Sequence, residues 1–202
     1  NIGSGKSTLY KDLQDYYSGN TNIGFCPEPV DNWGSVIDKE GVPILTNLYK
    51  DTKKYAFRFQ MMAYMSVLKR LKDAVLTNKY SVIISERHLE TNTHVFMKML
   101  YDDGILGLDD ITIMTKYLSS FKLDKVIYIK TSPETCEKRV IKRGRPGEVI
   151  PLAYLENLHA YHEHWLNHSP HDILTLDGNL ENTKSNIAKW MWSIDLHVMG
   201  FY

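Results

Sequence analysis

Cysteine is nearly absent from this chain. Of 202 residues only Cys26 and Cys136 carry thiols, and they lie far apart in sequence. A disulfide-stapled scaffold is therefore excluded, and a reducing, cytoplasmic setting is expected, with an organelle left open. Net charge is also missing: 24 Lys and Arg balance 24 Asp and Glu. With no global basic field, no nucleic-acid partner is expected. No apolar run reaches the roughly 20 residues of a membrane-spanning helix, so no membrane partner is expected either. Repeats, low-complexity tracts and linker-like stretches are lacking as well. The ordinary composition, 43% hydrophobic and 24% charged, suits one globular domain over residues 1–202.

What is present begins at the first residue. Asn1, Ile2, Gly3, Ser4, Gly5, Lys6, Ser7 and Thr8 form a phosphate-binding loop of the pattern G-x-x-x-x-G-K-[ST], short of its first Gly. The natural protein is accordingly expected to carry an apolar strand and that Gly ahead of Asn1. Glycines let backbone N–H groups converge on phosphate oxygens, and the helix that follows, residues 6–17, adds its positive end. Lys6 can reach the outer phosphates of ATP, and the Ser7 hydroxyl is placed for Mg²⁺. The competing reading is a Gly/Ser-rich turn before an ordinary amphipathic helix.

Four apolar runs read as buried strands: residues 23–26, 82–85, 126–129 and 173–176. Helical patterns separate them, which predicts an α/β fold with a parallel sheet, five-stranded once the strand ahead of Asn1 is counted. Helices are expected over residues 52–78, 91–102, 109–121, 151–167 and 180–194. Another should start at Ser132-Pro133-Glu134 and end at Gly144. Ligands of such sheets bind beyond the strand C-termini. There the sequence places Glu28, Glu86-Arg87, Thr131-Ser132 and Asp177.

Glu28 stands between Pro27 and Pro29, which are expected to hold it on extended backbone. A carboxylate so placed can act as general base toward a hydroxyl acceptor. It would repel an acceptor that already carries a phosphate. Glu86 can hold Mg²⁺, and Arg87 can pair with a carboxylate and with developing phosphoryl charge. Arg139, Arg143 and Arg145 suit a phosphate-clamping lid over about residues 139–150, the competing reading being a solvated basic face. Gln60, Ala63 and Val67 share a face of the long helix; an amide there can pair with a base edge. On their own, Gln60, Tyr49 and Phe96 read equally as core residues. The histidines at 159, 162, 164, 168 and 171 lack metal-site spacing, and Cys26 and Cys136 read as small buried hydrophobes.

Taken together, residues 1–8, Glu28-Pro29-Val30-Asp31-Asn32-Trp33, Leu48-Tyr49-Lys50-Asp51, Phe59-Gln60, Glu86-Arg87 and Arg143-x-Arg145-x-x-Glu148 resemble the deoxyribonucleoside kinase family. Thr131-Ser132-Pro133-Glu134 and the stretch from Pro151 to His159 match it too. The resemblance implies a P-loop kinase fold with an Arg-rich lid, ATP and Mg²⁺ as cofactors, and a deoxyribonucleoside substrate. It implies Glu28 as the base for the 5′-hydroxyl, with Arg87 on the same hydroxyl, and Tyr49 and Glu148 on the 3′-hydroxyl. Gln60 would read the base, between Phe96 and Trp33. Asn1, Gly3, Ser4, Gly5, Lys6, Ser7 and Thr8 would bind ATP together with Arg139 and Arg143. Lys6, Arg143 and Arg145 would serve catalysis, and Ser7 and Glu86 the metal. A homodimer is expected, with residues 52–78 and 91–102 as its faces. Departures are informative. His88 replaces a common Ser after the Glu-Arg pair. Val67 and Asn92 stand where deoxycytidine kinases carry a charged pair. The small wall of Ala63 and Val67 would admit a thymine methyl, so pyrimidines, thymidine first, are expected. Thymidylate kinase-like transfer to a monophosphate is the nearest alternative, and a non-catalytic nucleotide-binding module a more distant one.

Overall fold

The structure, a computed structural model, describes residues 1–117, 121–145, 148–180 and 184–200. It divides into two compact units. Asn1–Asn20, Lys122–Gly144 and Ile150–Tyr202 form one; Thr21–Phe121 and Arg145–Val149 form the other. The expected lid is thus shared between them, and its Pro146 and Gly147 lie outside the described residues.

In the first unit, α1 (Lys6–Tyr16) follows the glycine loop. Strands β3 (Lys125–Lys130) and β4 (Asp172–Asp177) pair in parallel, Lys125 opposite Asp172 and Lys130 opposite Asp177. Each is one residue longer at both ends than its apolar run. Helix α8 (Pro133–Arg143) begins and ends as expected. Ser132 Oγ accepts from Thr135 N at 3.3 Å, Pro133 takes the first turn, and Gly144 closes the helix at φ 60°. These devices satisfy orphan backbone groups at both ends. Helices α9 (Leu152–Asn167) and α10 (Lys184–Met199) complete the unit. Residues 181–183 of the expected last helix lie outside the described residues. Leu155, Leu158, Ile194 and Cys136 are fully buried there.

In the second unit, β1 (Ile23–Cys26) and β2 (Val82–Ser85) pair in parallel with Ile23 opposite Val82. Between them run α2 (Val30–Gly34), α3 (Ile44–Lys50) and the long α4 (Thr52–Leu76). Asp51 caps α4 by accepting from Lys54 N at 3.1 Å, and Asn78 at φ 51° ends the segment two residues early of expectation. After β2 come α5 (Leu89–Thr91), a π-helical turn (Asn92–Met97) and α6 (Lys98–Asp102). Helix α7 (Leu108–Tyr117) follows; residues 118–120 of its expected span lie outside the described residues. The core of this unit joins Cys26, Ala56, Tyr64, Leu68, Leu71, Leu89, Met97 and Leu100.

The four strands expected in this sequence are present and parallel, paired two by two among the described residues; the fifth strand of the expectation would precede Asn1. One difference from the sequence reading stands out: the backbone beyond Glu28 is not extended. Pro29 sits at φ −82°, ψ 44°, and Val30 N bonds Glu28 O at 2.9 Å. That is a tight inverse turn feeding α2; proline fixes φ but leaves ψ free to turn the chain.

Candidate active site

The glycine loop is shaped by two left-handed residues, Gly3 at φ 76° and Gly5 at φ 99°. A Cβ on Gly3 would fall 2.6 Å from Cys136 O, so only glycine fits there. Asn1 ties the loop down: its Nδ2 donates to Leu155 O at 3.0 Å, and its Oδ1 accepts from Ile2 N at 2.8 Å. Ser4 O accepts from Thr131 Oγ1 at 3.1 Å and from Arg139 Nη1 at 3.2 Å. Arg139 also donates to Gly178 O at 2.9 Å. This arginine therefore braces the loop against the ends of β3 and β4, while Arg143, one turn on, is exposed. Lys6 Nζ donates to Asn1 O at 2.7 Å. Ser7 and Thr8 lie in the first turn of α1, which has neither a side-chain cap nor an acid. Ser4 Oγ is buried with no hydrogen-bond partner among the described residues. Uncapped N–H groups, a helix N-terminus, a lysine and an orphan hydroxyl together make an anion cradle that fits a polyphosphate.

The second unit collects the remaining candidates: Glu28, Trp33, Tyr49, Gln60, Ala63, Val67, Glu86, Arg87, Asn92, Phe96, Arg145 and Glu148. Glu86 continues the β1–β2 ladder, its N bonding Cys26 O at 2.9 Å. Arg87 then takes a left-handed conformation, φ 66°, one of two non-glycine residues with positive φ among the described residues. Ser85 Oγ donates to Arg87 O at 2.7 Å and closes this turn. The turn sends the guanidinium to Glu28: Arg87 Nε lies 2.6 Å from Glu28 Oε1, with side chains 12% and 14% exposed. The Nε–H finds no hydrogen-bond acceptor in good alignment, so the pair is held by charge more than by a directed bond. The Arg87 guanidinium also lies 4.9 Å from the Phe96 ring centre, a cation–π contact.

Glu28 is steadied from behind. Arg70 Nη1 donates to Pro27 O at 3.0 Å, and Cys26 Sγ contacts Arg70 O at 3.7 Å. Burial pushes both thiols up, Cys26 and Cys136 alike, so neither is a ready nucleophile.

Gln60 is buried on α4, and its Oε1 accepts from Asn92 Nδ2 at 2.7 Å. Trp33 meets Phe59 edge-to-face at 5.4 Å and packs in one cluster with Ala63; its Nε1 donates to Ser66 Oγ at 2.9 Å. Val67 packs instead against the main core. Tyr49 is half-buried on α3, and Glu148, whose N bonds Arg145 O at 3.1 Å, is half-buried as well.

Several supporting residues escape a sequence reading. Asp38 Oδ1 accepts from Val42 N at 2.9 Å and Glu40 N at 3.0 Å, and its Oδ2 from Asn47 Nδ2 at 2.7 Å. The Val42 N–H and the Asn47 amide hold this carboxyl below its ordinary value. The knot sets the start of α3, and hence Tyr49. Its only sequence signal is Asp38 followed shortly by Gly41 and Pro43. His88 caps α5, its ring nitrogen accepting from Glu90 N at 3.3 Å. Arg70 and Ser85 carry no local signal, since their partners are backbone carbonyls.

Comparison with known proteins follows this geometry. The family model described as "Deoxynucleoside kinase" matches residues 1–198. A probable deoxycytidine kinase of fowlpox virus is 34% identical over 173 residues, covering 82% of this chain and 68% of its own length. Human mitochondrial thymidine kinase 2 is 31% identical over 173 residues, covering 82% of this chain and 62% of its own. The chain thus spans about two thirds of these relatives. Among solved structures, a deoxyadenosine kinase from M. mycoides with bound dCTP superposes with a TM-score of 0.76 at 26% identity, covering 96% of this chain and 95% of its own. The likeness to that kinase extends to the P-loop kinase fold that the family resemblance implied.

Proposed function

The chain belongs to the deoxynucleoside kinase family and is an enzyme of that kind, and we propose that it transfers the γ-phosphoryl group of ATP to the 5′-hydroxyl of a 2′-deoxyribonucleoside, pyrimidines and thymidine first. The observation that carries this reading is the half-buried Glu28–Arg87 pair at 2.6 Å. A carboxylate in this position suits a neutral alcohol and opposes an acceptor that already bears a phosphate.

In the proposed reaction the 5′-oxygen bonds to the γ-phosphorus as the bond to the β–γ bridging oxygen breaks. ADP leaves, and the hydroxyl proton passes to Glu28. Arg87 orients the hydroxyl and offsets charge as it spreads over the phosphoryl oxygens. Lys6 and the loop amides hold the phosphates of ATP, with Arg139 bracing the loop and Arg143 and Arg145 available to the phosphoryl group. Tyr49 and Glu148 hold the 3′-hydroxyl. Gln60, Asn92, Phe96, Trp33, Ala63 and Val67 surround the base.

Ser7 and Glu86 are the residues that would hold Mg²⁺. Both supply hard oxygen donors, the ligand type that this ion takes, commonly through one or two side chains together with phosphate oxygens. When bound, the ion supplies charge neutralisation across the outer phosphates.

A homodimer is the proposed assembly, supported by exposed Met65, Val75 and Leu76 along α4. No helix of the described residues is long and apolar enough to cross a membrane.

The deciding experiment offers labelled ATP with each natural deoxynucleoside and each 5′-monophosphate. Label should appear on nucleosides and not on monophosphates. Transfer only to monophosphates, or ATP binding with no acceptor-dependent ADP release, overturns the reading.

A further inference from the structure

Thr131 is fully buried just beyond β3, and the proposed reaction gives it no task. Its hydroxyl donates to Ser4 O at 3.1 Å in a buried bond. Arg139 Nη1 donates to the same oxygen at 3.2 Å. Gly178, just beyond β4, leaves room for the hydroxyl: a Cβ there would collide with Thr131 Oγ1. Gly178 N in turn bonds Lys130 O at 2.8 Å, and Gly178 O accepts from Arg139 Nη2 at 2.9 Å. Thr131, Gly178 and Arg139 thus form one network around a single carbonyl of the glycine loop.

A trans peptide is planar, and its C=O and N–H point in opposite directions. Holding Ser4 O on Thr131 and Arg139 therefore aims the Gly5 N–H away from these donors. No acceptor for that N–H is found among the described residues. Gly5 lies at φ 99°, ψ 7°, close to the third residue of a type II turn. Turning the Ser4–Gly5 peptide over converts such a turn to type I, at little backbone cost when the third residue is glycine. The turned-over peptide presents Ser4 O where the N–H stood. An N–H in that position binds a phosphate oxygen, whereas a carbonyl oxygen repels it. Glycine leaves this peptide two orientations, and the donors on Ser4 O select one.

We propose that Thr131 is a positioning residue for nucleotide binding: its hydroxyl locks the Ser4–Gly5 peptide in the orientation that offers the Gly5 N–H to phosphate. The inference rests on the proposed reading of the glycine loop as the ATP site and deepens it. Arg139 shares the carbonyl, but its guanidinium is also attracted to phosphate. The neutral, buried Thr131 hydroxyl is the donor that stays on Ser4 O when ATP binds.

Two substitutions separate this role from packing. Thr131→Val keeps the shape and removes the donor. Thr131→Ser keeps the donor and loses a buried methyl. A packing role ranks Val above Ser, because an unfilled methyl site weakens a core. The positioning role ranks Ser above Val in affinity for ATP.

The experiment titrates a non-hydrolysable ATP analogue into the unaltered chain and both variants by calorimetry, beside kcat, both KM values and thermal unfolding. One lost hydrogen bond corresponds to roughly fivefold, and a peptide that turns over adds to it. Thr131→Val should therefore weaken analogue binding and raise the KM for ATP by about five- to twentyfold, with the nucleoside KM within about twofold. Thr131→Ser should bind the analogue within about threefold of the unaltered chain, although it melts at a lower temperature. Unchanged affinity in Thr131→Val, an affinity in Thr131→Ser as weak as in Thr131→Val, or equal rises in both KM values would overturn the inference. If Thr131→Val fails to fold, a crystal structure of the unaltered chain with the analogue decides. Ser4 O on Thr131 Oγ1 with the Gly5 N–H on a phosphate oxygen supports the inference, and Ser4 O turned toward the phosphates overturns it. An unaltered chain that does not bind the analogue overturns instead the ATP reading beneath it, so the two failures are distinguishable.

Discussion

Arg87 Nε stands 2.6 Å from Glu28 Oε1, and the two residues reach each other from the ends of neighbouring parallel strands. Their backbones are prepared differently. Glu28 precedes a tight turn at Pro29, with Pro27 O held by Arg70. Arg87 occupies a left-handed conformation closed by Ser85. Such conformations cost free energy in a non-glycine residue and persist where surrounding contacts hold them. The pair therefore combines a strained backbone with desolvated charge, a combination common at reacting centres.

Glu28→Gln keeps the shape and removes the basic oxygen. Loss of a general base typically costs about 10²–10⁴-fold in rate. The kcat with thymidine should fall by that order, while nucleoside Kd changes only a few-fold. Rapid-quench turnover beside equilibrium binding checks this, and a kcat within a few-fold of the unaltered chain refutes the base assignment.

Ser85→Ala removes the hydroxyl that closes the Arg87 turn. One hydrogen bond of about 1 kcal/mol corresponds to roughly a fivefold effect. The expectation is a several-fold loss in kcat with the KM for ATP unchanged, since Ser85 belongs to the unit of Glu28 and not to that of the glycine loop. Equal losses in both parameters would point to general damage.

Strands β1 and β2 were legible residue for residue, because Ile23–Cys26 and Val82–Ser85 are apolar runs bounded by polar residues. Strands β3 and β4 outrun their apolar cores, since Lys125, Lys130, Asp172 and Asp177 join the backbone ladder while their side chains reach solvent or a salt bridge. Helices α2 and α3 left no periodic signal, being only 5 and 7 residues long. The capped start and glycine stop of α8 were readable because caps are local chemistry. The site divides the same way. Loop glycines and strand-end acids announce themselves by type and spacing. The Gln60–Asn92 bond, the Arg70 brace and the placement of Arg139 on Ser4 and Gly178 depend on tertiary contact.

Gly3→Ala tests the glycine loop. At φ 76° an alanine is strained, and its Cβ would press on Cys136 O at 2.6 Å. Left-handed backbone alone costs about 1–2 kcal/mol, and the clash adds to it. The variant should melt several degrees lower and bind ATP at least about tenfold more weakly. Calorimetric titration with a non-hydrolysable ATP analogue measures the second effect, and unchanged ATP affinity would remove this loop from nucleotide binding.

The stability of the first unit should respond to mild acid through His197. This ring is buried on α10, with Nδ1 3.6 Å from Asp172 Oδ2 and Lys125 donating to its carbonyl at 2.5 Å. Burial lowers its affinity for a proton below the ordinary value of 6.5, outweighing the pull of Asp172. Burial lowers that of His159 in the same way. The folded chain therefore keeps these rings neutral where the unfolded chain already binds protons. Stability rises with pH wherever the unfolded state holds more protons. It should be complete above about pH 6.5 and decline as pH falls toward the lowered folded values. Carboxylates held down in the fold act later: Glu163, whose burial is outweighed by Lys130 and Tyr128, loses its contribution only as pH drops below its ordinary value of 4.5. Thermal unfolding between pH 7.5 and 5 should thus show falling midpoints for the unaltered chain and a shallower fall for His197→Asn. Parallel curves for the two proteins across that window would show that His197 does not set the dependence.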